Sequence, residues 1–251
     1  FYGVISMNKR LNPSLPLALL LLAGLCIPTQ AKEGLSLRVE GLTGSKTSSE
    51  THLTPLYFHE QADYRVDYAL KGGIDLGLSL VKPLSDRLLL SLGFTWASRD
   101  LTGPVSLAIP HPLIFDYPRT WEGTGDFKAT LPILDLALIT RISAGRKIFI
   151  ELSAGPALAM AKARILSGIS TTEAYPFTDP EVSLLTEEVS KTLLGATVGF
   201  SAHFRLGGKT TLYLKTAYRL LKGTFTPTDK TCATELKLGG LRGGLGLSFQ
   251  L

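Results

Sequence analysis

The last stretch of the chain, residues 241–251, alternates between two kinds of side chain. Apolar residues and glycine occupy its odd positions, while polar residues, charged residues and glycine occupy its even positions. A period of two gives a β-strand one apolar face and one polar face. The same pattern recurs along the chain, and its polar faces hold almost all the mid-strand charges. This favours a closed barrel in lipid over a soluble β-sandwich whose apolar face turns inward.

Eight segments of this kind are present, and we predict a strand for each. They cover approximately residues 35–40, 64–80, 88–96, 134–142, 148–155, 194–206, 212–220 and 241–251. Their connections alternate between long and short, and turn-forming sequences lie in the short ones, at Pro83–Asp86, Ser143–Arg146 and Gly207–Gly208. Outer-membrane barrels sort their connections in this way. The predicted fold is all-β: an eight-stranded antiparallel up-and-down transmembrane β-barrel with short periplasmic turns and long extracellular loops.

The alternation also predicts which way particular side chains face. In the second predicted strand the apolar residues stay on even positions from Tyr64 to Leu80, so they are expected to share a single face of the strand. Four strand aromatics fall at the two heights where membrane barrels carry aromatic girdles. They are Trp96 and Tyr218 near the upper rim, and Phe204 and Phe249 near the lower rim.

The N-terminal segment has the three-part order of a secretory signal peptide. Met7–Arg10 is short and basic, Leu15–Ile27 is apolar, and Pro28–Ala31 supplies small residues for cleavage. The apolar run is short for a membrane anchor. We therefore expect residues 1–31 to comprise upstream residues and a cleaved signal peptide, and residues 32–251 to form the barrel.

Cysteine usage supports this division of the chain. A lipoprotein signal at Cys26 is disfavoured because Leu25 is bulkier than the small residue usually found before a lipidated cysteine. After cleavage only Cys232 remains, so the predicted mature chain has no intramolecular disulfide.

Charge is concentrated on one face of the predicted strands. The net charge is +5, but the basic residues are spread over strands and turns, so no nucleic-acid partner is predicted. A Lys or Arg that faced lipid at mid-depth would cost about 2–4 kcal/mol. The mid-strand charges therefore point inward and form a predicted lumen network: Arg38, Glu40, Asp75, Asp135, Arg141, Glu151, Arg205, Lys215, Arg219 and Arg242. Because an eight-stranded lumen is narrow, we expect these charges to form an ion-pair plug.

The sequence contains little that indicates catalysis. No P-loop, HExxH or GxSxG pattern occurs. His203 shares a face with Ser201 but lies near a periplasmic turn, whereas barrels that act on lipid A hold such a pair near the outer rim. His111 lies between prolines in a long connection, and His52 and His59 are too far apart for a metal pair on one strand. We therefore predict no enzyme activity, no cofactor and no metal site.

The long connection from about Asp100 to Lys128 is unusually apolar for an external loop. Its prolines are expected to limit strand pairing and to stiffen the backbone, and exposed apolar patches often mark interaction sites. The predicted partner-binding residues are Ile114, Phe115, Tyr117 and Trp121. The alternative is a lid that folds over the barrel mouth and packs on the other loops.

Short motifs in these strands and turns resemble those of a known family. They are Lys82–Leu88 at the first tight turn, Leu131–Leu136 at the fourth strand, Gly155–Pro156 in the fifth and Gly244–Phe249 in the last. On these motifs the chain resembles the small porin-family outer-membrane barrels of the Bacteroidetes, often called PorT-like, whose barrel is similar to the OmpA membrane domain. Outer-membrane barrels usually end on an aromatic residue, whereas Gln250 and Leu251 follow Phe249 here.

Three classes of function are compatible with a barrel of this kind. The favoured one is a plugged barrel with a structural or surface-binding role through its extracellular loops. The resemblance adds an accessory component of a secretion or surface-assembly machine, and the third class is a narrow pore or a lipid-modifying enzyme. The expected location is the bacterial outer membrane. The expected partners are outer-membrane lipid, the barrel assembly machinery during insertion, and a protein at the extracellular loops.

Overall fold

A computed structural model describes residues 34–251 apart from residues 55, 58, 146, 176, 179 and 229–232. The predicted signal peptide, residues 1–31, lies outside the described residues. Within the described part, no helix is long and apolar enough to cross a membrane.

The described residues form fourteen β-strands, eight of which close into a ring. The ring strands are β1 (Ser36–Gly44), β6 (Ile74–Pro83), β7 (Leu88–Ile109), β8 (Arg119–Ser143), β9 (Ile148–Thr172), β10 (Glu181–Gly207), β11 (Thr210–Leu220) and β14 (Gly240–Gln250). Each pairs antiparallel with the next in the order β1-β6-β7-β8-β9-β10-β11-β14, and β14 pairs back to β1. This confirms the predicted eight-stranded antiparallel barrel.

The ring strands fall into two length classes. β1, β6, β11 and β14 have 9, 10, 11 and 11 residues, which matches the 9–11 residues of a transmembrane strand. β7, β8, β9 and β10 have 22, 25, 25 and 27 residues. At about 3.3 Å per residue, the surplus of β10 continues the wall by about 50 Å along the strand.

The remaining strands are β2 (Thr47–Leu53), β3 (Leu56–Tyr57), β4 (Glu60–Gln61), β5 (Asp63–Leu70), β12 (Lys222–Phe225) and β13 (Thr234–Lys237). Two of them, β2 and β5, extend the sheet of the ring, and the other four form separate two-stranded sheets. β5 pairs with β7, β2 pairs with β5, and β12 pairs with β13. We call β2, β5, β12, β13 and the upper parts of β7–β10 the extracellular extension.

The two faces of β7 change polarity partway along the strand. Near the short turns its exposed face is apolar and includes Phe94 and Trp96. Above residue 97 the exposed face becomes polar, as at Asp100, while Val105 and Leu107 are buried inside. A strand in lipid turns apolar residues outward, and a strand in water turns them inward. The lower wall therefore spans a membrane, and the extension stands in water.

The predicted single face from Tyr64 to Leu80 is wrong. Leu70 pairs with Leu101 and Asp75 pairs with Ala97, so residues 71–74 oppose only residues 98–100. The one extra residue is a β-bulge, which exchanges the two faces of the strand. As a result, even-numbered residues of β5 are buried in the extension, and the apolar even-numbered residues of β6 face outward.

The predicted loop from Asp100 to Lys128 is mostly strand, because β7 and β8 pair continuously from Asp100↔Lys128 to Ile109↔Arg119. Pro104 lies opposite Thr124 within this ladder. On its other side, the pairing with β5 is interrupted at Gly103 and Pro104, so the missing N–H of the proline costs no ladder hydrogen bond there. The prolines therefore limit strand pairing only locally, because Pro110, Pro112 and Pro118 lie in the connection between β7 and β8, and Pro104 lies at the interruption of the pairing with β5.

The extension is filled by an apolar core. Tyr68 and Phe127 pack with ring centroids 4.8 Å apart, and the backbone N–H of Leu166 donates to the Tyr68 hydroxyl at 3.2 Å. The core also contains buried residues from β5 and β7–β10, and from the region of β12 and β13: Val66, Leu70, Leu101, Val105, Leu107, Ile109, Ala129, Leu131, Ile133, Ala159, Ala163, Ile165, Leu193, Phe225 and Leu236. The extracellular side of this barrel is therefore a packed structure.

The short turns lie at the opposite end of the ring. Leu84 and Ser85 donate their backbone N–H groups to the carbonyl of Leu88, at 2.8 and 3.0 Å. In the third turn, Gly207 pairs with Thr210, so the two-residue loop is Gly208–Lys209, one residue later than predicted. Gly208 has φ +54°, a conformation that favours glycine.

Candidate functional site

The lower lumen is built around the buried carboxylate of Glu151. The guanidinium of Arg38 donates to both of its oxygens, at 2.8 and 3.0 Å. Nε of Arg141 donates to the same group at 3.1 Å, and Nε2 of His203 lies 3.1 Å from it. One carboxylate therefore serves two guanidinium groups and a histidine, at a side-chain exposure of only 1%.

Three rings stack beside this carboxylate. His203 lies between Phe149 and Tyr213, with centroid distances of 4.5 and 4.9 Å and interplanar angles of 12° and 24°. Arg141 lies over the Phe149 ring at 4.5 Å, and Arg38 lies over Tyr213 at 5.7 Å. Cation–π contacts of this kind help to hold the guanidinium groups across the lumen.

A second carboxylate, Glu40, lies above the stacked rings. It accepts two hydrogen bonds from Nζ of Lys215, at 2.8 and 2.9 Å, and one from the Tyr213 hydroxyl at 3.2 Å. Two inward glycines make room for these groups. A Cβ at Gly77 would lie 2.6 Å from Cγ of Glu40, and one at Gly246 would lie 2.3 Å from Cζ of Tyr213.

Two further carboxylates complete the lumen. Asp135 accepts a hydrogen bond from Arg219 at 2.7 Å and one from the Thr197 hydroxyl at 2.9 Å. Asp75 is fully buried and forms ion pairs with Arg99 and Arg242. Each of the four lumen carboxylates thus has at least one cationic partner.

Nine of the ten predicted network residues take part in these ion pairs: Arg38, Glu40, Asp75, Asp135, Arg141, Glu151, Lys215, Arg219 and Arg242. Arg205 lies at the periplasmic end, where it is exposed and its guanidinium lies over the Phe149 ring at 5.5 Å. Its place in the lumen network stays a prediction. Arg99, Tyr213 and the contact of His203 with Glu151 were not predicted from the sequence. Arg99 follows the last predicted residue of its strand by three positions, so continuing the alternation would have found it.

Ser201, His203 and Glu151 form a polar cluster whose arrangement differs from a catalytic triad. The Ser201 hydroxyl and the Glu151 carboxylate both meet Nε2 of His203, at 2.9 and 3.1 Å. In a catalytic triad, the histidine contacts the nucleophilic serine through one ring nitrogen and the carboxylate through the other. In the described part of the chain, no group of three or more His, Cys, Asp or Glu residues is arranged to hold a metal.

A small cavity lies in the middle of the lumen, among the ion pairs of the described residues. Its volume is about 60 Å³, and its lining includes Arg38, Glu40, Asp135, Glu151 and Arg219. A water molecule takes about 30 Å³ in the liquid, so the space suits a few waters between fixed charges. Above it lies the apolar core of the extension.

We expect the purified protein to form no large conducting pore, because ion pairs fill the lumen and an apolar core lies above it. Planar-bilayer recordings measure this directly, with a general porin under the same salt as the positive control. Stable, large single-channel steps from protein that is pure and folded would contradict a closed lumen.

A second candidate site is the end of the extension farthest from the membrane. Exposed apolar side chains gather there on the β7–β8 and β9–β10 connections, and we call them the apolar tip: Leu113, Ile114, Phe115, Tyr117 and Tyr175, which are 69%, 53%, 78%, 59% and 85% exposed. Three of the four predicted partner-binding residues belong to it. Trp121 does not, because it is partly buried and packs against the apolar core.

The backbone under the apolar tip is held by buried polar contacts. Nδ1 of His111 accepts hydrogen bonds from the backbone N–H groups of Leu113 and Ile114, at 3.1 and 3.2 Å. Arg119 is buried and donates to Glu173 at 2.8 Å, to the carbonyl of Phe177 at 2.9 Å and to that of Pro110 at 2.8 Å. The two hairpins are therefore joined to each other beneath the exposed side chains.

Comparison with known proteins finds no matching family model and no matching curated protein. Among solved structures, the chain is similar to the outer membrane protein OprG from Pseudomonas aeruginosa, with 11% identity over 89% of this chain and 100% of that one, at a TM-score of 0.49. It is also similar to Neisserial surface protein A, with 11% identity over 87% and 100% at 0.41, and to the outer membrane protease OmpT from Escherichia coli, with 8% identity over 90% and 99% at 0.43. These likenesses concern the fold alone.

The location follows from the wall itself. A closed antiparallel ring, an apolar outer belt and a charged lumen together satisfy the requirements of a strand protein in lipid. The protein is an outer-membrane β-barrel.

Proposed function

We propose that this protein is a closed outer-membrane barrel that binds a protein partner at the cell surface through its apolar tip. The observation that carries the proposal is the group of large apolar side chains exposed at the end of a packed extension. Exposed apolar clusters on folded proteins mark interaction surfaces more often than scattered single residues do. In this proposal lipid surrounds the lower wall, the barrel assembly machinery inserts the chain, and the partner meets the tip.

The frame beneath the tip supports this proposal. Arg119 ties the two hairpins together, and His111 fixes the turn that carries Leu113 and Ile114. A surface that is already ordered loses less conformational entropy on binding. The resemblance to PorT-like barrels is part of the same proposal, since an accessory role in surface assembly would also require a docking surface outside the cell.

Replacing Ile114, Phe115 and Tyr117 together with serine tests the proposal. We expect crosslinking of the partner on intact cells to be lost, while the folded barrel keeps its heat-modifiable mobility on gels. The matched control is Leu185→Ser, at a residue that is 51% exposed on β10, away from the apolar tip. Trp121→Ser is a second comparison and should lower protease resistance instead, because Trp121 packs on the core.

The proposal fails if the triple serine variant retains the partner as well as the wild type does. It also fails if the triple variant and Leu185→Ser lose the partner equally, because binding would then depend on general surface hydrophobicity.

A further inference from the structure

A groove of about 540 Å³ lies in the outer surface of the wall where β11 ends. β10 and β11 pair only as far as Ala196↔Leu220, and β10 continues into the extension without β11. Leu194, Tyr218 and Leu220 line the groove with exposed apolar side chains. They belong to the apolar outer belt, so this part of the groove faces lipid. The groove is separate from the apolar tip, and binding at either place does not require the other.

Two lysines line the end of this groove that is nearer to the extension. Lys222 begins β12, two positions after the outward Leu220, and Lys237 ends β13, four positions before the outward Leu241. The exposed side chains therefore change from apolar to cationic at the same place on two chain segments. This change marks the height of the lipid headgroups, where a lysine can lay its stem along apolar surface and keep its ammonium group in water.

The strand register places the two lysines face to face. Lys222 pairs directly with Lys237 in the ladder of β12 and β13, and both side chains are exposed. Opposed like charges on one face of an antiparallel pair are destabilising. In the described part of the chain neither ammonium group forms an ion pair, and the one carboxylate of these two strands, Glu235, lies opposite Thr224. An anion that meets both ammonium groups would relieve their repulsion.

We propose that this groove binds a lipid of the outer leaflet through a phosphorylated headgroup. The phosphoryl group meets Lys222 and Lys237, and an acyl chain lies along the apolar part of the groove beside Leu194 and Leu220. A phosphate monoester carries about −1.5 to −2 charges at neutral pH, which matches two ammonium groups. The lysines provide the selectivity, because an acyl chain that moves from the bilayer into the groove exchanges one apolar environment for another.

The test uses the folded barrel in micelles of a neutral detergent, with dimyristoyl phosphatidic acid as the probe. Native mass spectrometry counts the lipid molecules on the barrel during a titration and gives the Kd. The comparison lipid is dimyristoylglycerol, which has the same acyl chains and no phosphoryl group. We expect phosphatidic acid to bind more tightly by about tenfold or more, because each lysine attracts the anionic headgroup. Inorganic phosphate at the same concentration should not displace it.

The decisive variant is the double replacement Lys222→Gln with Lys237→Gln. It removes both charges from the headgroup position and leaves the apolar part of the groove unchanged. We expect the Kd for phosphatidic acid to rise about tenfold or more, to the value for dimyristoylglycerol. The matched control is Lys128→Gln with Lys162→Gln, which removes the same charge from exposed lysines of β8 and β9, outside the groove.

Three outcomes would overturn the proposal. The first is that the wild-type barrel binds the two lipids with the same Kd. The second is that the control variant weakens binding as much as the variant in the groove, since the attraction would then come from the basic surface in general. The third is that inorganic phosphate displaces the lipid at equal concentration, because the site would then take a soluble anion. Heat-modifiable mobility on gels establishes that each variant is folded before it is compared.

Discussion

Replacing Glu151 with glutamine is expected to destabilise the folded barrel by about 3–5 kcal/mol, the usual cost of removing one partner from a buried ion pair. The substitution keeps the size of the side chain but removes its charge. Arg38 would then remain buried without the carboxylate that both of its terminal nitrogens meet, and Arg141 and His203 would lose their contacts with the same carboxylate. Urea unfolding in lipid vesicles measures the loss, and the heat-modifiable band on gels should disappear at a lower temperature.

Two further variants separate this cause from a general effect of mutation. Glu188→Gln removes an exposed carboxylate that forms an ion pair with Lys162 at 3.5 Å, and exposed pairs of this kind contribute about 0–1 kcal/mol. The double variant Arg38→Gln with Glu151→Gln removes the surplus cation together with the anion. It should therefore be more stable than Glu151→Gln alone, by a coupling that a double-mutant cycle measures. Unfolding of Glu151→Gln at the wild-type urea concentration would show that the lumen charges do not hold the barrel.

The membrane-spanning half of this fold could be predicted from the sequence because two constraints act together. They are the period of two along a strand and the free-energy cost of a charged side chain in lipid. A period of two fixes which residues share a face, and the cost of a charge in lipid fixes which face is inside. That reasoning locates Arg38, Glu151 and Arg219 without any knowledge of their partners. Which cation meets which carboxylate depends on the stagger of neighbouring strands around the ring, and alternation carries no information about it.

The extension was not predicted because its strands alternate with the same period of two as the membrane strands. Their apolar face, however, is inside, and their polar face is in water. In β7 the apolar residues occupy even positions up to Trp96 and odd positions from Leu101 onward. This exchange of parity marks the point where the wall leaves the membrane, and it is visible in the sequence. In the second predicted strand the exchange is hidden, because a β-bulge beside Gly72 and Gly73 shifts the faces while the apolar residues stay on even positions.

The same exchange determines how the two parts of the protein are stabilised. The membrane part has polar groups inside, and its closure rests on ladder hydrogen bonds and ion pairs. The extension has an apolar inside like that of a soluble protein, and burial of apolar surface holds it. A single strand such as β8 therefore contributes Asp135 to a charged lumen and Phe127 to an apolar core. A substitution that destabilises one part is therefore not expected to unfold the other.

Phe127→Ala is expected to destabilise the extension by about 3–5 kcal/mol, the usual cost of truncating a buried Phe. Phe127 is 3% exposed and packs against Tyr68, so its loss leaves a cavity in the core. Protease added outside vesicles or intact cells should cleave the extension faster than in the wild type. The membrane part should still show heat-modifiable mobility, because its lumen contacts are unchanged.

The matched control for this prediction is Phe115→Ala, the same substitution at the apolar tip. Phe115 is 78% exposed, and surface substitutions of this kind usually change stability by no more than about 0.5 kcal/mol. Protease resistance should therefore stay at the wild-type level in Phe115→Ala and fall in Phe127→Ala. Equal resistance in the two variants would contradict a packed core in the extension. Loss of the heat-modifiable band in Phe127→Ala would instead show that the extension and the membrane part fold as one unit.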